Sequence, residues 1–409
     1  MKRKLLVLFF FVMLMTAACN VSDEKNSSEE TPFSNEEYVC IDSFRQGFLT
    51  EEYALYHGND LQLRLFDAAS QTDIAFCFEP NCEHEQEKRS RTGELLQEGC
   101  ISYAFSRYTV MLRGDSCFFF DYDTSEVFQS NRQGKNRKMI GQIPQYILPS
   151  RVFFSKDSVF VSYASPYEMI EAKDNNGETY WIVGEAKPKN KCGVVRLNLD
   201  SGEYSELLAT EDYSASIMEY DVRGDHLYFQ RSYSDIPYIS PDLETDDPSL
   251  IPEGMTVENY WEELPKHMWM DIYDFSLSTG ELKVVLQHQH YGAMEFCKDF
   301  FAVEEGQTTG LYRYSGERFR ELDFPMSVGV RSDSGLVCQK GNDYVLVDEN
   351  SGEILSKSTI STEDFVPHTI LGQSCYGLFH KDNQWVPAYI SAEDFWNGDV
   401  TKVIPFMGQ

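Results

Sequence analysis

Basic residues are scarce in this chain. Lys and Arg number 35 against 66 Asp and Glu, a formal net charge of -31. So acidic a surface repels phosphate backbones, which argues against nucleic acid as a partner. The surplus acid keeps an exposed protein soluble, or it meets a cation-rich partner or calcium. Long apolar runs are also missing beyond the first fifteen residues, so no later segment reaches the roughly 20 residues a spanning helix needs. Catalytic signatures are absent too. There is no Gly-Xaa-Ser-Xaa-Gly elbow, no phosphate loop and no dinucleotide fingerprint. Carboxylates are everywhere, so no acid–base pair stands out. Glu304-Glu305, Asp246-Asp247 and Glu262-Glu263 read as solvated faces.

The first nineteen residues form a targeting segment. Lys2, Arg3 and Lys4 give a basic start, Leu5 to Met15 an apolar run too short to span, and Thr16-Ala17-Ala18 the small residues before Cys19. This resembles the lipobox of bacterial lipoproteins, with Thr16 where that pattern prefers Leu. The resemblance implies removal of residues 1–18, lipid (diacylglycerol and palmitate) on Cys19, and anchoring to the outer face of the cell membrane without a spanning helix. Residues 19–37 are polar and acidic and read as a disordered tether.

From residue 38 to 409 a short pattern recurs: apolar residues, a polar turn closed by Gly-Glu, apolar residues again. It reads Leu197-Asn-Leu-Asp-Ser-Gly-Glu203, then Phe275-Ser-Leu-Ser-Thr-Gly-Glu281, Tyr312-Arg-Tyr-Ser-Gly-Glu317 and Leu346-Val-Asp-Glu-Asn-Ser-Gly-Glu353. Looser copies are Phe120-Asp-Tyr-Asp-Thr-Ser-Glu126 and Leu65-Phe-Asp-Ala-Ala-Ser-Gln71. Alternation and turn residues predict strand pairs at 52–57/61–66, 107–113/117–122, 158–163/193–199, 226–230/270–277, 300–303/310–314, 335–339/343–347 and 375–380/385–390. Apolar segments such as 38–41, 101–105, 217–222 and 326–330 precede pairs, and others such as 73–78 and 400–406 follow them. Four strands per unit, repeated, predict an all-β fold: a β-propeller of about seven four-stranded blades, with six to eight possible. A pair of β-sandwiches is the competing architecture. The signatures of the WD40, kelch and Tyr-Trp-Thr-Asp repeats are absent.

Two long intervals between turns read as insertions in the third and fourth blades rather than extra blades. One is an arm at 165–191 with a strand at Tyr180 to Val183. The other is acidic, at 232–268, with a helix near 256–264 that Thr256 caps and Glu258 enters in the first turn. Tyr180, Trp181, Tyr260 and Trp261 lie on these insertions as candidate contacts to a sugar or a protein, against the plainer reading that they pack the insertions onto the body. Ile360-Ser-Thr-Glu-Asp-Phe365 and Ile390-Ser-Ala-Glu-Asp-Phe395 match, and each is expected to open one helical turn. His288-Gln-His290 puts both rings on one face of a strand, either as a two-ligand site or as an ordinary polar face.

One stretch stands apart: Cys77-Phe-Glu-Pro-Asn-Cys82-Glu-His84, with Cys100 sixteen residues later. Three thiols and an imidazole suit tetrahedral zinc. The competing reading is a disulfide, Cys82 to Cys100 or Cys77 to Cys82, stapling a loop outside the cytoplasm, and all-reduced thiols are the third. Without Cys19 nine cysteines remain, so they cannot all pair within one chain. Here the sequence resembles uncharacterised lipoproteins of Gram-positive gut bacteria that couple a lipobox to a YWTD/TolB-like propeller and carry a Cys-x4-Cys-x-His box. Cys19, Cys77, Pro80, Cys82, His84 and Cys100 carry the resemblance. It spans the chain in outline and is specific only in the box, and the charged segment 85–99 departs from it. It implies a propeller and a surface location, and no activity.

The sequence therefore predicts a membrane-anchored propeller that binds or scaffolds a protein or glycan. The alternatives are a glycan-active hydrolase or lyase with carboxylates in its central channel, and an envelope sensor or assembly partner.

Overall fold

The computed structural model describes the chain from Val39 to Phe406, except residues 42–47, 50, 58–61, 78–81, 87, 90–94, 101, 103–107, 123, 132, 145–148, 156, 174–178, 238–250 and 349. The signal segment, Cys19 and the tether lie outside the described residues.

Seven antiparallel blades follow one another. The first strand, β1 (Val39–Ile41), does not join the first of them. Blade 1 is built by β2 (Phe48–Leu49), β3 (Tyr53–His57), β4 (Leu63–Asp67) and β5 (Thr72–Ala75). A short hairpin, β6 (Lys88–Arg89) with β7 (Leu95–Gln97), lies on the way to blade 2. Blade 2 takes β1 as its innermost strand, then β8 (Tyr108–Arg113), β9 (Ser116–Asp121) and β10 (Glu126–Asn131), with β11 (Lys138–Gln142) as a fifth, outer strand. Blade 3 has β12 (Pro149–Ser155), β13 (Ser158–Lys173), β14 (Thr179–Asn198) and the first half of β15 (Tyr204–Arg223). Blade 4 has the second half of β15, then β16 (His226–Ser234), β17 (Met268–Ser276) and β18 (Leu282–His290).

Blade 5 is β19 (Met294–Phe296), β20 (Phe300–Glu305), β21 (Thr308–Arg313) and β22 (Arg318–Leu322). Blade 6 is β23 (Gly329–Ser332), β24 (Leu336–Lys340), β25 (Asp343–Val347) and β26 (Ile354–Ser358). Blade 7 is β27 (Phe365–Leu371), β28 (Ser374–Lys381), β29 (Gln384–Ser391) and β30 (Ile404–Pro405). The fold is a seven-bladed β-propeller.

Burial explains why the sequence makes these strands. A middle strand is covered by a blade on each side, so it reads as a continuous apolar run. In β9, Cys117, Phe118, Phe119, Phe120 and Asp121 are all buried. An outer strand is wet, and β18 has no buried residue at all.

The core lies between blades. Phe118 and Phe120 of blade 2 pack with Val152, Phe154 and Val161 of blade 3. Phe160 and Val194 then meet Leu227, Phe229 and Phe275 of blade 4, and Met270 and Ile272 meet Phe301 and Tyr312 of blade 5. Phe300 and Leu311 meet Leu336 and Val345 of blade 6, whose Val337 and Tyr344 meet Phe365 and Cys375 of blade 7. Tyr376, Tyr389 and Phe406 finally close on Ala54, Tyr56 and Phe66 of blade 1. Each such side chain contributes about 1.5–3 kcal/mol on burial.

The recurring turns join the third and fourth strands of blades 1 to 6. In each full copy the residue before Glu has positive φ: Gly202 (74°), Gly280 (72°), Gly316 (88°) and Gly352 (73°). The looser copies keep that geometry without glycine, at Ser125 (57°) and Gln71 (53°). The first polar residue of the turn caps it. Asn198 Oδ1 accepts from the amides of Asp200 and Ser201, and Asp348 Oδ1 from those of Asn350 and Ser351.

Both insertions are where the turn spacing put them, in blades 3 and 4. The arm is a hairpin in which β13 and β14 stay paired from Ser158↔Asn198 out to Lys173↔Thr179. The helix is Val257–Glu263, capped by the Thr256 hydroxyl on the Asn259 amide, and the Asn259 side chain answers on the Thr256 N–H. The twin Ser motifs each open one turn, at Ser361 and at Ser391, and their Phe365 and Phe395 rings meet at 6.3 Å. One detail differs from expectation. Residues 39–41 belong to the second blade, not the first, because β1 takes the innermost place that 101–105 was expected to fill. Of 101–105 only Ser102 is described.

Candidate functional site

The Cys box lies on the segment that leaves β5 and crosses towards β8. Cys77, Cys82, His84 and Cys100 come together there, with one ligand atom from each lying within 4.8 Å of the others. Cys77 Sγ and Cys100 Sγ are 3.4 Å apart, and His84 Nδ1 is 3.5 Å from Cys100 Sγ. The His84 amide donates to Cys82 Sγ at 3.4 Å, and the Ser102 hydroxyl lies 3.3 Å from Cys100 Sγ. Cys100 is buried. Its burial works to raise the thiol, but hydrogen bonds from Ser102 and His84 outweigh that and bring it down to about 7. The set could hold a metal ion. The 3.4 Å between Cys77 Sγ and Cys100 Sγ is far from the 2.03–2.05 Å of a disulfide. Cys100 does belong to the cluster, despite the long charged segment before it.

A second constellation was not legible as a motif. Blades alternate strand direction in the same way, so all connections between second and third strands leave the same face of the ring. Both insertions are such connections, in neighbouring blades. At their foot Arg231, buried in β16, pairs with Asp271 at 2.9 Å and with Asp212. Asp271 is itself buried. It accepts from the His288 amide at 2.8 Å and from the Tyr233 and Tyr273 hydroxyls at 3.4 Å each. Burial, then the Asp271 charge, pushes the Tyr233 phenol up to about 12.

Above this floor Trp269 stacks on His288 and His290, with ring centroids 3.8 and 4.4 Å away. Its indole N–H donates to Asp235, which also holds His267 at 2.6 Å. The two histidines do share one strand face, brought there with His288 at φ 56° where the β17–β18 register shifts. The sequence signals for this cluster were His288-Gln-His290 and a charge inside an apolar strand, Arg231 after Leu227-Tyr-Phe-Gln230. A buried charge demands a partner.

The candidate contact aromatics fare differently. Trp261 is 40% exposed. Tyr260 is turned inward and buried, its hydroxyl on the Pro237 carbonyl, so it packs the insertion onto the body. Tyr180 and Trp181 are paired on the arm, opposite Ala172 and Glu171. Among the described residues one carboxylate, Asp221 on the innermost strand of blade 4, is held above the usual range. Burial is the cause, opposed by Arg223 at 2.5 Å and by the charge of Arg331.

Searches among protein-family models and curated proteins give no match. Among solved structures the chain is similar to an oligogalacturonate lyase in complex with manganese, at 10% identity over 90% of this chain and 95% of that one, with a TM-score of 0.45. It is also similar to the dihydro-heme d1 dehydrogenase NirN in complex with DHE, at 11% identity over 94% of this chain and 81% of that one, with a TM-score of 0.39. Neither likeness assigns an activity, a ligand or a metal to this chain.

Proposed function

We propose that this chain is a lipid-anchored, extracytoplasmic β-propeller that binds a protein or glycan partner through the insertion face of blades 3 and 4. The observation that carries the reading is the placement of the insertions. They leave the same face of adjacent blades, over a floor fixed by the buried Arg231–Asp271 pair. An isolated two-stranded hairpin is marginally stable in water, so a paired arm reaching Lys173↔Thr179 is suited to docking. Trp261, Trp269, His288 and His290 offer flat surfaces for stacking on a sugar or a side chain. The glycan-cleaving alternative calls for converging carboxylates, and Asp221 is instead engaged by arginine. The anchor rests on the residues up to Cys19.

Two measurements test the reading. Cys19→Ala is expected to move the protein from the membrane fraction to the soluble one; unchanged fractionation removes the anchor. A glycan array and membrane cross-linking, run with full-length protein and with a variant whose arm is cut to a two-residue turn, test the face. Loss of the bound ligand with unchanged melting supports it. The same ligand held with the same affinity overturns it.

A further inference from the structure

We propose that Cys77, Cys82, His84 and Cys100 hold a single zinc ion, a three-thiolate, one-imidazole centre that fastens the crossing between blades 1 and 2. The chain has a local problem to solve there. Blade 2 takes its innermost strand from β1, so the chain after β5 runs from the outermost strand of one blade to the second strand of the next. Among the described residues of that path the one strand pairing is β6 with β7, through Lys88↔Gln97 and Arg89↔Leu95. Its described middle is wet, with Leu96 64% exposed. Segments without a core of their own are held by disulfides or metals.

The donors fit zinc. Zn–S bonds of about 2.3 Å and Zn–N bonds of about 2.0–2.1 Å in a tetrahedron put sulfur atoms about 3.8 Å apart and sulfur and nitrogen about 3.5 Å apart. The observed separations are 3.4 Å for Cys77 Sγ to Cys100 Sγ and 3.5 Å for His84 Nδ1 to Cys100 Sγ. Thiolate and imidazole in a closed set of four suit zinc over the hard cations, which take oxygen. An outer layer of donors is present as well: the His84 amide on Cys82 Sγ and the Ser102 hydroxyl beside Cys100 Sγ. His84 has φ 52°, a conformation that costs a non-glycine residue and that ligation would repay. Four protein ligands leave no open position, so the role is structural. Binding replaces the thiol protons, releasing up to three to solvent.

A disulfide within the set is the opposing chemistry, and it would leave the third thiol and the imidazole with no common task. Near the end of the crossing, Glu98 accepts from the Asn136 and Arg137 amides of blade 2 at 3.1 and 3.0 Å. The staple thus acts on a segment already docked at its far end.

The test uses full-length protein purified in detergent without chelator. Elemental analysis is expected to give about one zinc per chain, and X-ray absorption three sulfur neighbours and one nitrogen at the distances above. Cobalt exchanged into the site is expected to show the strong visible bands of a tetrahedral thiolate complex. Cys82→Ser and His84→Gln are each expected to lower zinc retention against a fixed chelator, with full-length protein still in the membrane fraction. If either variant fails to fold, the absorption spectrum of the unaltered protein decides. Protein that carries no zinc and takes up none when supplied, whether its thiols are paired or free, overturns the proposal. So does a first shell of oxygen and nitrogen, or zinc retained equally by both variants. None of these outcomes depends on ligand binding at the insertion face.

Discussion

The Ser374 hydroxyl donates to the Glu51 carbonyl over 2.6 Å, joining residues 323 apart in sequence. The Gln373 amide adds a bond to the Glu51 carboxylate at 3.1 Å. Here the last blade meets the first, and among the described residues no strand is shared across the seam. Apolar packing of Tyr56, Phe66, Tyr376, Tyr389 and Phe406 does the rest. Ser374→Ala is therefore expected to cost about 0.5–1.5 kcal/mol, the net worth of one intramolecular hydrogen bond. Phe406→Ala is expected to cost about 3–5 kcal/mol. Urea unfolding followed by tryptophan fluorescence measures both. A Ser374→Ala midpoint equal to that of the unaltered protein would show that packing alone closes the ring.

Glycines in the recurring turns differ in what surrounds them. A Cβ on Gly280 meets nothing within 4 Å, so Gly280→Ala is charged only for positive φ, about 1–2 kcal/mol. A Cβ on Gly202 meets the Ile140 carbonyl at 2.3 Å, where blade 2 touches blade 3. Gly202→Ala is expected to be clearly the more destabilising, by thermal unfolding of the two variants side by side. Equal losses would mean that the contact between these blades yields without cost.

Arg231 and Asp271 are a buried ion pair, and removing one partner leaves the other charged and dry. Arg231→Met is expected to cost about 3–5 kcal/mol, and adding Asp271→Asn to recover part of that loss. A double-mutant cycle in urea reads the coupling. Additive losses would contradict the pairing.

Asp221 has a pKa raised from 3.8, with burial the largest cause. The folded state therefore takes up this proton before the unfolded state does. Stability from the group is present below its unfolded pKa and is lost as pH rises through the folded one. Unfolding of unaltered protein and of Asp221→Asn, compared from pH 4 to pH 7, is expected to show the unaltered protein losing stability relative to the variant as pH rises. A difference that stays flat would mean the carboxyl titrates alike in both states.

The turns were legible because their chemistry is local. Asn198 or Asp348 caps from within the turn, and Gly202 or Gly352 supplies the left-handed step, so residues a few places apart declare the geometry. The insertions were legible as interruptions of that beat. The pairing of Val39↔Leu112 was not, since a three-residue apolar strand names no partner. The floor of the insertion face was hidden for the same reason. Asp212, Arg231 and Asp271 come from three strands and have no spacing in common. In the Cys box the residue types were readable and their convergence was not, because 85–99 could have carried Cys100 anywhere.

One strand gives the molecule a mechanical property. β15 runs unbroken from the outer edge of blade 3, where Leu197 faces Tyr204, to the centre of blade 4, where Arg223 faces His226, bending at Ser214 with φ 51°. At the next three junctions, 291–293, 323–328 and 359–364, the chain leaves the strand between one blade and the next. Here the connection is itself strand, so blades 3 and 4 cannot hinge against each other without tearing a ladder. A pull on the arm reaches β15 through the ladder from Asn190↔Asp212 to Leu197↔Tyr204, and β15 carries it into the next blade.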